Sequence, residues 1–428
     1  MNDILKVDVL LGLQWGDEGK GKGIDALAPK YKIIARAQGG PNAGHTLEFD
    51  DCKIVLHTIP SGICREGIKN VIGNGVVLDP AILVFKEMNQ LVSKGILTFE
   101  QIQERLFISK KAHIILPSHL RLDFISEEMK GKDKIGSTLK GISPTYQDKY
   151  GRNGLRVKDV LSNDFMKKYQ ILKAKHAHIA ASFGYELEDE TFADKEKKFF
   201  EAIEVIKQLQ LIDSEIFLNE AVSNGDSILA EGAQGAMLDI DFGSWPFVTS
   251  SNTTTGGICT GLGIAPNKMN NIFGVFKAYC TRVGSGPFPT ELFDEIGETL
   301  QNMGKEFGST TGRPRRCGWL DLVALRYAVM INGITGLIMT KADVMNEFDQ
   351  VQVCTQYIQT DGNKIDICCP DDMEAENVQP VYTTFDGWSI ADLSDDNFQK
   401  YVNFIEEIVG VPIIIIGTGP GRDQIIHK

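Results

Sequence analysis

Residues 7–22 read VDVLLGLQWGDEGKGK, and this segment decides the fold. Its first part, residues 7–11, is a compact apolar run of the kind found in buried strands. A glycine-rich stretch follows, and the residues beyond it can form a helix as far as Ala28. Glycines between a strand and a helix let backbone N–H groups turn toward an anion, and the helix N-terminus adds positive potential. The segment therefore predicts a phosphate-binding loop after a buried strand.

Short apolar, β-branched runs recur along the chain between glycine or polar loops, as central parallel strands do. They are residues 32–35, 54–56, 71–72, 113–116, 227–230, 272–278, 337–340 and 411–416. Helical patterns lie between them, notably at residues 194–211 and 321–332. This alternation predicts an α/β fold with a large, mostly parallel central sheet flanked by helices, similar to P-loop NTPases.

The chain shows no repeat and no Pro/Gly/Ser-rich linker, so we expect a single α/β domain over residues 1–428. Within it, residues 99–210 are more charged and more helical than their surroundings. They predict a helical elaboration on the sheet. Residues 361–396 form the most acidic stretch and predict surface structure.

The composition is that of an ordinary globular protein, with 43% hydrophobic and 24% charged residues. A net charge of -13 argues against a nucleic-acid backbone as the main partner. The N-terminus lacks the layout of a signal peptide, and no apolar run is long enough to span a bilayer. Eight cysteines without a CxxC pair indicate reduced thiols and a cytoplasmic location.

The glycine-rich loop differs from a Walker A motif in its spacing, and Gly21 stands where Ser or Thr would hold the metal. Lys20 supplies a full positive charge for a terminal phosphate. Asp17 lies inside the loop, where a carboxylate costs energy unless a cation or a proton-transfer role compensates. Asp17 is therefore the candidate ligand of Mg²⁺. The alternative is a glycine-rich turn with solvated charges.

A second loop, QGGPNAGHT at residues 38–46, also follows a predicted strand. Its glycines, proline and asparagine fix a tight turn that places His45 where backbone can approach a ligand. Histidine can give or take a proton near neutral pH. The alternative is a histidine held by neighbouring backbone groups. We prefer that alternative for the remaining histidines, which lack zinc-ligand spacing: His57, His113, His119, His176, His178 and His427.

Other polar loops suit anionic ligands. Residues 136–144 (GSTLKGISP) and 247–256 (FVTSSNTTTG) are rich in hydroxyls and glycine, and they indicate either a phosphate or polyhydroxyl ligand or plain surface loops. Residues 308–316 (GSTTGRPRR) carry three arginines in a glycine-punctuated loop before an amphipathic helix. This loop predicts a clamp for carboxylates or phosphates, and a dicarboxylate substrate would match it. The alternative is a basic patch that pairs with the chain's own acids.

The tetrapeptide TKAD at residues 340–343 ends a predicted strand and has the TKxD form of guanine-reading motifs. An ionised Asp343 would accept hydrogen bonds from guanine N1–H and the 2-amino group, a pair of donors that adenine does not offer. The Lys341 stem would pack on the ring face. At the C-terminal end of a strand, in a chain with a phosphate loop, TKAD predicts selection of GTP over ATP.

Together these motifs resemble the adenylosuccinate synthetase family, nearly end to end. GDEGKGK, GGPNAGHT, EGAQG, VTSSNTT, KAYCTRVGSGPFPTEL, GSTTGRPRRCGWLD, TKADV and GTGPGR occur in the family's order. The resemblance implies a GTP-dependent ligase of purine (AMP) biosynthesis that joins IMP and L-aspartate, with Mg²⁺, through a 6-phosphoryl-IMP intermediate. It also implies a homodimer in which Arg152 reaches the IMP 5′-phosphate site of the neighbouring subunit.

The resemblance further implies roles for individual residues. Asp17 would take the N1 proton of IMP and contact Mg²⁺, and the Gly44 carbonyl would also ligate the metal. The implied catalytic residues are Asp17, Lys20, His45 and Gln234. The implied GTP-binding residues are Gly16, Glu18, Gly19, Lys20, Gly21, Lys22, Gly44, His45, Thr46, Arg315, Lys341, Asp343, Gly417 and Gly419. The implied IMP-binding residues are Asp17, Asn42, Thr138, Arg152, Gln234, Thr249, Val283 and Arg313. The implied aspartate-binding residues are Thr310, Thr311, Arg313 and Arg315.

Two rival functions remain open from the residues alone. A regulatory GTPase would explain the phosphate loop and TKAD, but not the arginine loop or the second hydroxyl-rich loop. A dehydrogenase is disfavoured, because the glycines near the N-terminus do not give the G-x-G-x-x-G spacing of a dinucleotide-binding turn. Aspartate-dependent turnover of GTP separates the ligase from the regulatory GTPase.

Overall fold

The computed structural model describes residues 7–49, 52–308 and 312–428. Its strands are β1 (Val7–Gly12), β2 (Ile33–Gly39), β3 (His45–Phe49), β4 (Cys52–Leu56), β5 (Lys69–Leu78), β6 (Leu106–Ser109), β7 (His113–Ile114), β8 (Gln210–Ile212), β9 (Ile228–Glu231), β10 (Met269–Lys277), β11 (Cys280–Arg282), β12 (Arg316–Gly318), β13 (Leu320–Asp321), β14 (Gly336–Thr340), β15 (Gln350–Gln359), β16 (Lys364–Ile365), β17 (Val378–Asp386), β18 (Ile413–Gly417) and β19 (Ile425–His427). Its α-helices are α1 (Lys20–Leu27), α2 (Pro80–Ile82), α3 (Asn89–Ser93), α4 (Phe99–Arg105), α5 (Pro117–Met129), α6 (Ile142–Tyr150), α7 (Phe165–Ser182), α8 (Phe192–Ile206), α9 (Ser214–Ser223), α10 (Thr255–Leu262), α11 (Glu295–Met303), α12 (Leu322–Asn332) and α13 (Asp396–Val409).

Among the described residues, eleven strands form one sheet in the order β19-β18-β14-β10-β1-β9-β2-β5-β6-β8, with β7 paired to β5. Neighbouring strands are parallel except for β18 and β19. The central strands β2, β9 and β14 are buried along their whole length, as expected of a parallel sheet covered on both faces. The predicted α/β fold with a large, mostly parallel sheet is confirmed.

The sheet brings the predicted ligand loops to one edge, because parallel strands share the direction of their C-terminal ends. β1 ends at Gly12 before the phosphate loop, and β2 ends at Gly39 before the histidine loop. β9 ends at Glu231, β14 at Thr340 and β18 at Gly417. Segments far apart in the sequence therefore meet over this edge.

Two sequence predictions are wrong in detail. The helix predicted over residues 194–211 is α8, which ends at Ile206, and the last predicted positions belong to β8. β8 pairs in parallel with β6 at the sheet edge, and this pairing overrides the local helical pattern. The strand predicted at residues 54–56 is real, but it forms an antiparallel hairpin with β3 outside the central sheet.

A smaller mixed sheet escaped the sequence analysis. β15 pairs in parallel with β13 and antiparallel with β16 and β17. Two of its strands, β16 and β17, lie in the stretch predicted only as acidic surface structure. The inner face of β15 is buried, while β17 is mostly part-exposed, so its apolar signal is diluted by polar residues on the outer face.

Residues 99–210 hold helices α4–α8 together with the strands β6 and β7. The buried face of α8 repeats at helical spacing through Phe199, Ala202, Ile203 and Ile206, and it joins an apolar cluster that includes Tyr169 of α7. The region therefore packs on the sheet as helices while it also supplies strands to one edge. Across the described ranges, no helix is both long and apolar enough to cross a membrane.

Candidate active site

A cleft of about 1670 Å³ lies over the C-terminal edge of the central strands. It is lined by most of the predicted site residues: Gly16, Asp17, Gly19, Lys20, Gly21, Lys22, Asn42, Gly44, His45, Thr46, Thr138, Gln234, Thr249, Val283, Arg315, Lys341, Asp343, Gly417 and Gly419. Glu18, Arg152 and Arg313 do not line it. Thr310 and Thr311 lie outside the described residues. Nine separate stretches of sequence thus converge on one cavity.

The phosphate loop turns back on itself through left-handed backbone. Gly16 has φ 86°, Asp17 has φ 59° and Gly19 has φ 88°. Glycine adopts this conformation without cost, whereas an aspartate held there is strained. Successive N–H groups in such a turn form an anion-binding concavity. Helix α1 begins at Lys20 directly after the turn, so its N-terminus faces the same cavity.

Glu18 fastens the phosphate loop from inside. Its Oε1 accepts hydrogen bonds from the backbone N–H of Gln14 at 3.1 Å and of Gly16 at 2.9 Å, and its Oε2 pairs with Lys20 Nζ at 2.5 Å. Its side chain is fully buried. A β-carbon on Gly235 would come within 2.3 Å of Glu18 Oε1, so only glycine fits there. The Glu18 carboxylate therefore fixes the shape of the loop from its buried side. It also holds Lys20, which lines the cavity.

Asp17 is joined to the arginine loop across the cleft. Arg315 Nε donates to Asp17 Oδ2 at 2.8 Å, and Arg315 Nη1 donates to Glu306 Oε2 at 2.5 Å. Glu306 is completely buried and also receives Lys277 Nζ. Arg316, the next residue, turns the other way and pairs with Glu291. The arginine loop thus presents one guanidinium to the catalytic carboxylate predicted from sequence.

His45 forms a buried pair with Glu231. Its Nδ1 lies 2.5 Å from Glu231 Oε1, and Ser61 and Arg36 also contact that carboxylate. Burial lowers the pKa of His45, assisted by the Arg36 charge and opposed by Glu231. The neutral imidazole therefore donates Nδ1–H to Glu231. Its Nε2 is buried and has no hydrogen-bond partner among the described residues, so it is available to a ligand.

The TKAD segment lines another part of the same cleft. Lys341 adopts φ 62° directly after β14, which turns the chain into a short 3-10 helix that carries Asp343. Asp343 Oδ1 is buried without a hydrogen-bond partner in the described part of the chain. Lys22 Nζ donates to the Gly419 carbonyl oxygen at 2.5 Å and ties the loop after Gly417 to helix α1. Burial lowers the pKa of Lys22 to about 8, although the nearby Asp343 charge opposes the shift.

The hydroxyl-rich loop at residues 136–141 is anchored by carboxylates of helix α5. Glu127 Oε2 accepts from the backbone N–H of Gly136 at 2.9 Å and of Ser137 at 3.1 Å. Asp123 accepts from the Ser137 hydroxyl and from the Gly141 backbone N–H, both at 2.8 Å. The backbone of this loop is thus tied down, and Thr138 faces the cleft.

Three further contacts join the loops around the cleft to one another. Arg313 Nη1 donates to the Gly136 carbonyl oxygen at 3.1 Å. The hydroxyls of Ser143 and Ser250 lie 2.7 Å apart and connect the two hydroxyl-rich loops. Gln234 has φ 57°, and its side-chain amide donates to Asn42 Oδ1 at 3.3 Å. The two hydroxyl-rich loops therefore lie beside each other, and Gln234 lies beside the histidine loop.

His119, Asp148 and His176 form a buried group whose potential ligand atoms lie within 4.8 Å of one another. The Leu116 backbone N–H donates to His119 Nδ1, so His119 carries its proton on Nε2 and donates it to Asp148 at 3.0 Å. His176 Nε2 lies 2.7 Å from the same oxygen. Hydrogen bonds satisfy these groups without an ion. None of the three lines the cleft, and they join helices α5, α6 and α7.

Sequence reasoning missed the partners that hold the site. Glu231 stood inside a quoted motif without an assigned role, and Glu306 and Lys277 were not singled out. One signal was present for Glu231, since a carboxylate that ends an otherwise apolar strand is costly to bury without a partner. Lys277 ends β10 in the same way, whereas Glu306 carries no local pattern of that kind.

Comparisons with known proteins identify relatives along the whole length of the chain. The family model for adenylosuccinate synthetase matches residues 9–426. The chain is 55% identical to an adenylosuccinate synthetase of Flavobacterium johnsoniae over 99% of this chain and 100% of that protein. It is 55% identical to one of Bacteroides fragilis, over 99% of each. The structure superposes with TM-score 0.91 on the fully ligated adenylosuccinate synthetase from Plasmodium falciparum, at 37% identity, covering 99% of this chain and 100% of that one.

Proposed function

The chain belongs to the adenylosuccinate synthetase family, and on that premise we propose how its cleft carries out the GTP-dependent joining of IMP and L-aspartate. The observation that carries the proposal is the meeting, in one cavity, of the TKAD aspartate with an Asp17 carboxylate paired to Arg315. A nucleotide switch needs only the guanine-reading Asp343. A ligase also needs the Asp17–Arg315 pair, because the phosphoryl group must pass to a second substrate.

GTP would lie between the phosphate loop and TKAD. The Asp343 carboxylate accepts hydrogen bonds from the two guanine donors, since its Oδ1 has no other partner among the described residues. The Lys22 contact holds the Gly417 loop against the base. The phosphates lie over the α1 N-terminus and Lys20, the usual electrostatic arrangement for phosphoryl transfer. Their negative charge raises the pKa of His45, so that His45 Nε2 gains a proton and donates it to a phosphate oxygen.

IMP would lie on the other side of Asp17. Asp17 accepts the N1 proton, and O6 of the base attacks the γ-phosphorus as the bond to the β-phosphate oxygen breaks and GDP leaves. The 6-phosphoryl group makes O6 a good leaving group. The amine of L-aspartate then attacks C6, and inorganic phosphate departs. Lys20 stabilises charge on the transferring group.

Mg²⁺ fits the donors that this end of the cleft offers. The Asp17 carboxylate and the Gly44 carbonyl both line the cavity, and both are hard oxygen ligands of the kind that Mg²⁺ prefers. When bound, the ion would neutralise charge on the phosphates. Asp17 Oδ2 is already held by Arg315, so the orientation of the carboxylate is set by the protein rather than by the metal.

The remaining contacts are assigned by position. IMP would contact Asn42, Thr138, Gln234, Thr249 and Val283, and the carboxylates of L-aspartate would meet Arg313 and Arg315, together with Thr310 and Thr311. Arg152 lies outside the cleft and is exposed, which agrees with a role in a neighbouring subunit of a homodimer. We also place the enzyme in the cytoplasm, where its eight free cysteines stay reduced, and treat residues 1–428 as one domain built on the continuous sheet.

The direct test follows adenylosuccinate formation by absorbance with IMP, GTP, L-aspartate and Mg²⁺, and omits each in turn. We expect product only when all four are present, and none when ATP replaces GTP. Hydrolysis of GTP without IMP or L-aspartate would instead favour a nucleotide switch.

The homodimer has a separate test. Asp17→Asn and Arg152→Leu are each expected to be nearly inactive, because each damages every site. In an equal mixture, half of the dimers are mixed and hold one intact site of two, so about a quarter of the wild-type activity should return. A mixture no more active than its components would show that Arg152 does not act in a neighbouring subunit.

A further inference from the structure

The completely buried carboxylate of Glu306 lies at the centre of a charged cluster behind the cleft. Both of its oxygens lie 2.9 Å from Lys277 Nζ, and its Oε1 accepts from the Tyr279 hydroxyl at 2.5 Å. Its Oε2 accepts from Arg315 Nη1 at 2.5 Å. Lys341 Nζ lies 3.9 Å from Oε1. Glu306 does not line the cleft, so it cannot touch a substrate directly.

The charges around Glu306 make it an anion. Burial by itself would raise the pKa of Glu306, but the charges of Lys277, Arg315 and Lys341 outweigh burial and lower it to about 2. A buried carboxylate in such surroundings is costly to neutralise or remove. The Glu306 carboxylate is therefore ionised near neutral pH.

Residue 315 is held through both its main chain and its side chain. The Arg315 backbone N–H donates to the Glu306 carbonyl oxygen at 2.9 Å, and Gln301 Nε2 donates to the Arg315 carbonyl oxygen at 2.7 Å. With Nη1 fixed by Glu306, Arg315 Nε reaches Asp17 Oδ2 at 2.8 Å. The guanidinium is planar and rigid, so a fixed Nη1 determines where Nε points.

A simpler role for Glu306 would be to balance the charge of Lys277, which is also buried. Lys277 also donates to another partner, the Thr281 hydroxyl at 2.7 Å. Balancing Lys277 requires only a nearby anion. Holding Arg315 requires a carboxylate at a particular distance, which is a stricter condition that an experiment can separate.

We propose that Glu306 is a positioning residue, which aims the Arg315 guanidinium so that it holds the Asp17 carboxylate and receives a substrate carboxylate in one fixed orientation. The inference rests on the roles of Asp17 and Arg315 in the proposed function. The Glu306 carboxylate, which contacts none of the three substrates, thereby connects the arginine loop to the phosphate loop. Its contact with Lys341 extends the same cluster toward the guanine end.

The experiment compares three variants. Glu306→Asp keeps the charge beside Lys277 but shortens the side chain by one methylene. Lys277→Met with Glu306→Gln removes both buried charges at nearly constant volume. Glu291→Gln is the matched control, because it breaks a Glu–Arg pair on the neighbouring Arg316 outside the cleft.

Steady-state kinetics would be measured for IMP, GTP and L-aspartate, with thermal unfolding to verify folding. We expect Glu306→Asp and the double variant to lose roughly 30-fold or more in kcat/KM for L-aspartate, since a misplaced contact of about 1 Å costs on the order of 100-fold. The KM for IMP should stay near wild type, and Glu291→Gln should retain wild-type kinetics.

Wild-type kcat/KM for L-aspartate in Glu306→Asp would overturn the proposal. That variant keeps a negative charge beside Lys277 and changes only the distance from the carboxylate to Arg315. A KM for IMP that rises as far as the KM for L-aspartate would also overturn it, since it would indicate general disruption. Arg315→Lys identifies failure of the underlying function. If Arg315→Lys is fully active, the assigned role of Arg315 is wrong regardless of what Glu306 does.

Discussion

The two ends of the cleft are built differently. At the phosphate end, Lys20 and His45 are each held by a buried carboxylate, Glu18 and Glu231 respectively. At the hydroxyl-rich end, the carboxylates of Asp123 and Glu127 bind mainly the backbone of the loop at residues 136–141. The first end orients its reactive side chains directly, and the second shapes a loop.

This difference separates chemistry from recognition. A group that must donate a proton or stabilise a transferring phosphoryl needs a fixed direction before the substrate arrives. A loop that grips a phosphate or a sugar can use backbone donors and hydroxyls, whose positions tolerate more variation. Mutations at the phosphate end should therefore lower kcat, and those at the hydroxyl-rich end should mainly raise KM.

The largest effect is expected at Asp17, where the two ends meet. Asp17→Asn keeps the size of the side chain but removes the proton acceptor, and kcat should fall by about 10³-fold or more. The measurement is adenylosuccinate formation at saturating substrates. Asp8→Asn, at the opposite end of β1, is the control and should retain activity. An active Asp17→Asn enzyme would exclude Asp17 as the base.

Glu231→Gln tests whether the phosphate end depends on its buried partner. The variant should lower kcat by about 10²-fold, because His45 loses its orienting anion, and should lower the free energy of unfolding by about 3 kcal/mol, because Arg36 stays buried without its counter-ion. Urea unfolding and kcat measure the two effects. Ser61→Ala removes another contact of Glu231 and should have a much smaller effect on kcat. If the two variants behave alike, His45 does not rely on the Glu231 charge.

Asp343→Asn examines recognition at the guanine end. The KM for GTP should rise roughly 10- to 100-fold, since a site built for paired hydrogen bonds loses much when one acceptor changes, while kcat stays close to wild type. The exposed Asp349, a few residues further on, supplies the control Asp349→Asn. A fall in kcat without a change in the KM for GTP would place Asp343 in the chemical step. It would contradict the division between residues for chemistry and residues for recognition.

The smallest effect concerns pH and the helices beneath the hydroxyl-rich end. Burial lowers the pKa of His113 and of His119 to about 4, against 6.5 for an exposed histidine. The unfolded chain therefore binds protons that the fold excludes, so stability present above pH 6.5 is lost progressively between pH 6.5 and 4. The loss at pH 5.5 should be roughly 1 kcal/mol for each histidine.

Urea unfolding at pH 7 and 5.5 measures this loss. His119→Gln should reduce the difference between the two pH values, and the exposed His178→Gln should leave it unchanged. A pH difference as large in His119→Gln as in the wild type would mean that His119 is protonated inside the fold.

Sequence alone predicted the elements with strong local signals. Each of these signals lies within a few consecutive residues. They are the glycines around Asp17, the TKAD tetrapeptide and the apolar runs of the central strands. The end of α8 at Ile206 and the sheet around β15 depended on pairing with distant strands, so local patterns misled. Likewise, His45 and Glu231 lie 186 residues apart in sequence, and no spacing rule connects them.

The placement of β1 in the sheet bears on how the chain is made. β1 lies between β9 and β10, which come more than 200 residues later. A ribosome releases the N-terminal strand first, so both hydrogen-bonding edges of β1 stay open until over half of the chain has been synthesised. During that interval the strand is a template for wrong pairing, and folding waits on a long-range closure. The glycine loop that follows β1 accepts a hydrogen bond at the Glu18 carbonyl oxygen from the Thr340 hydroxyl, so its final shape also depends on a segment that is synthesised much later.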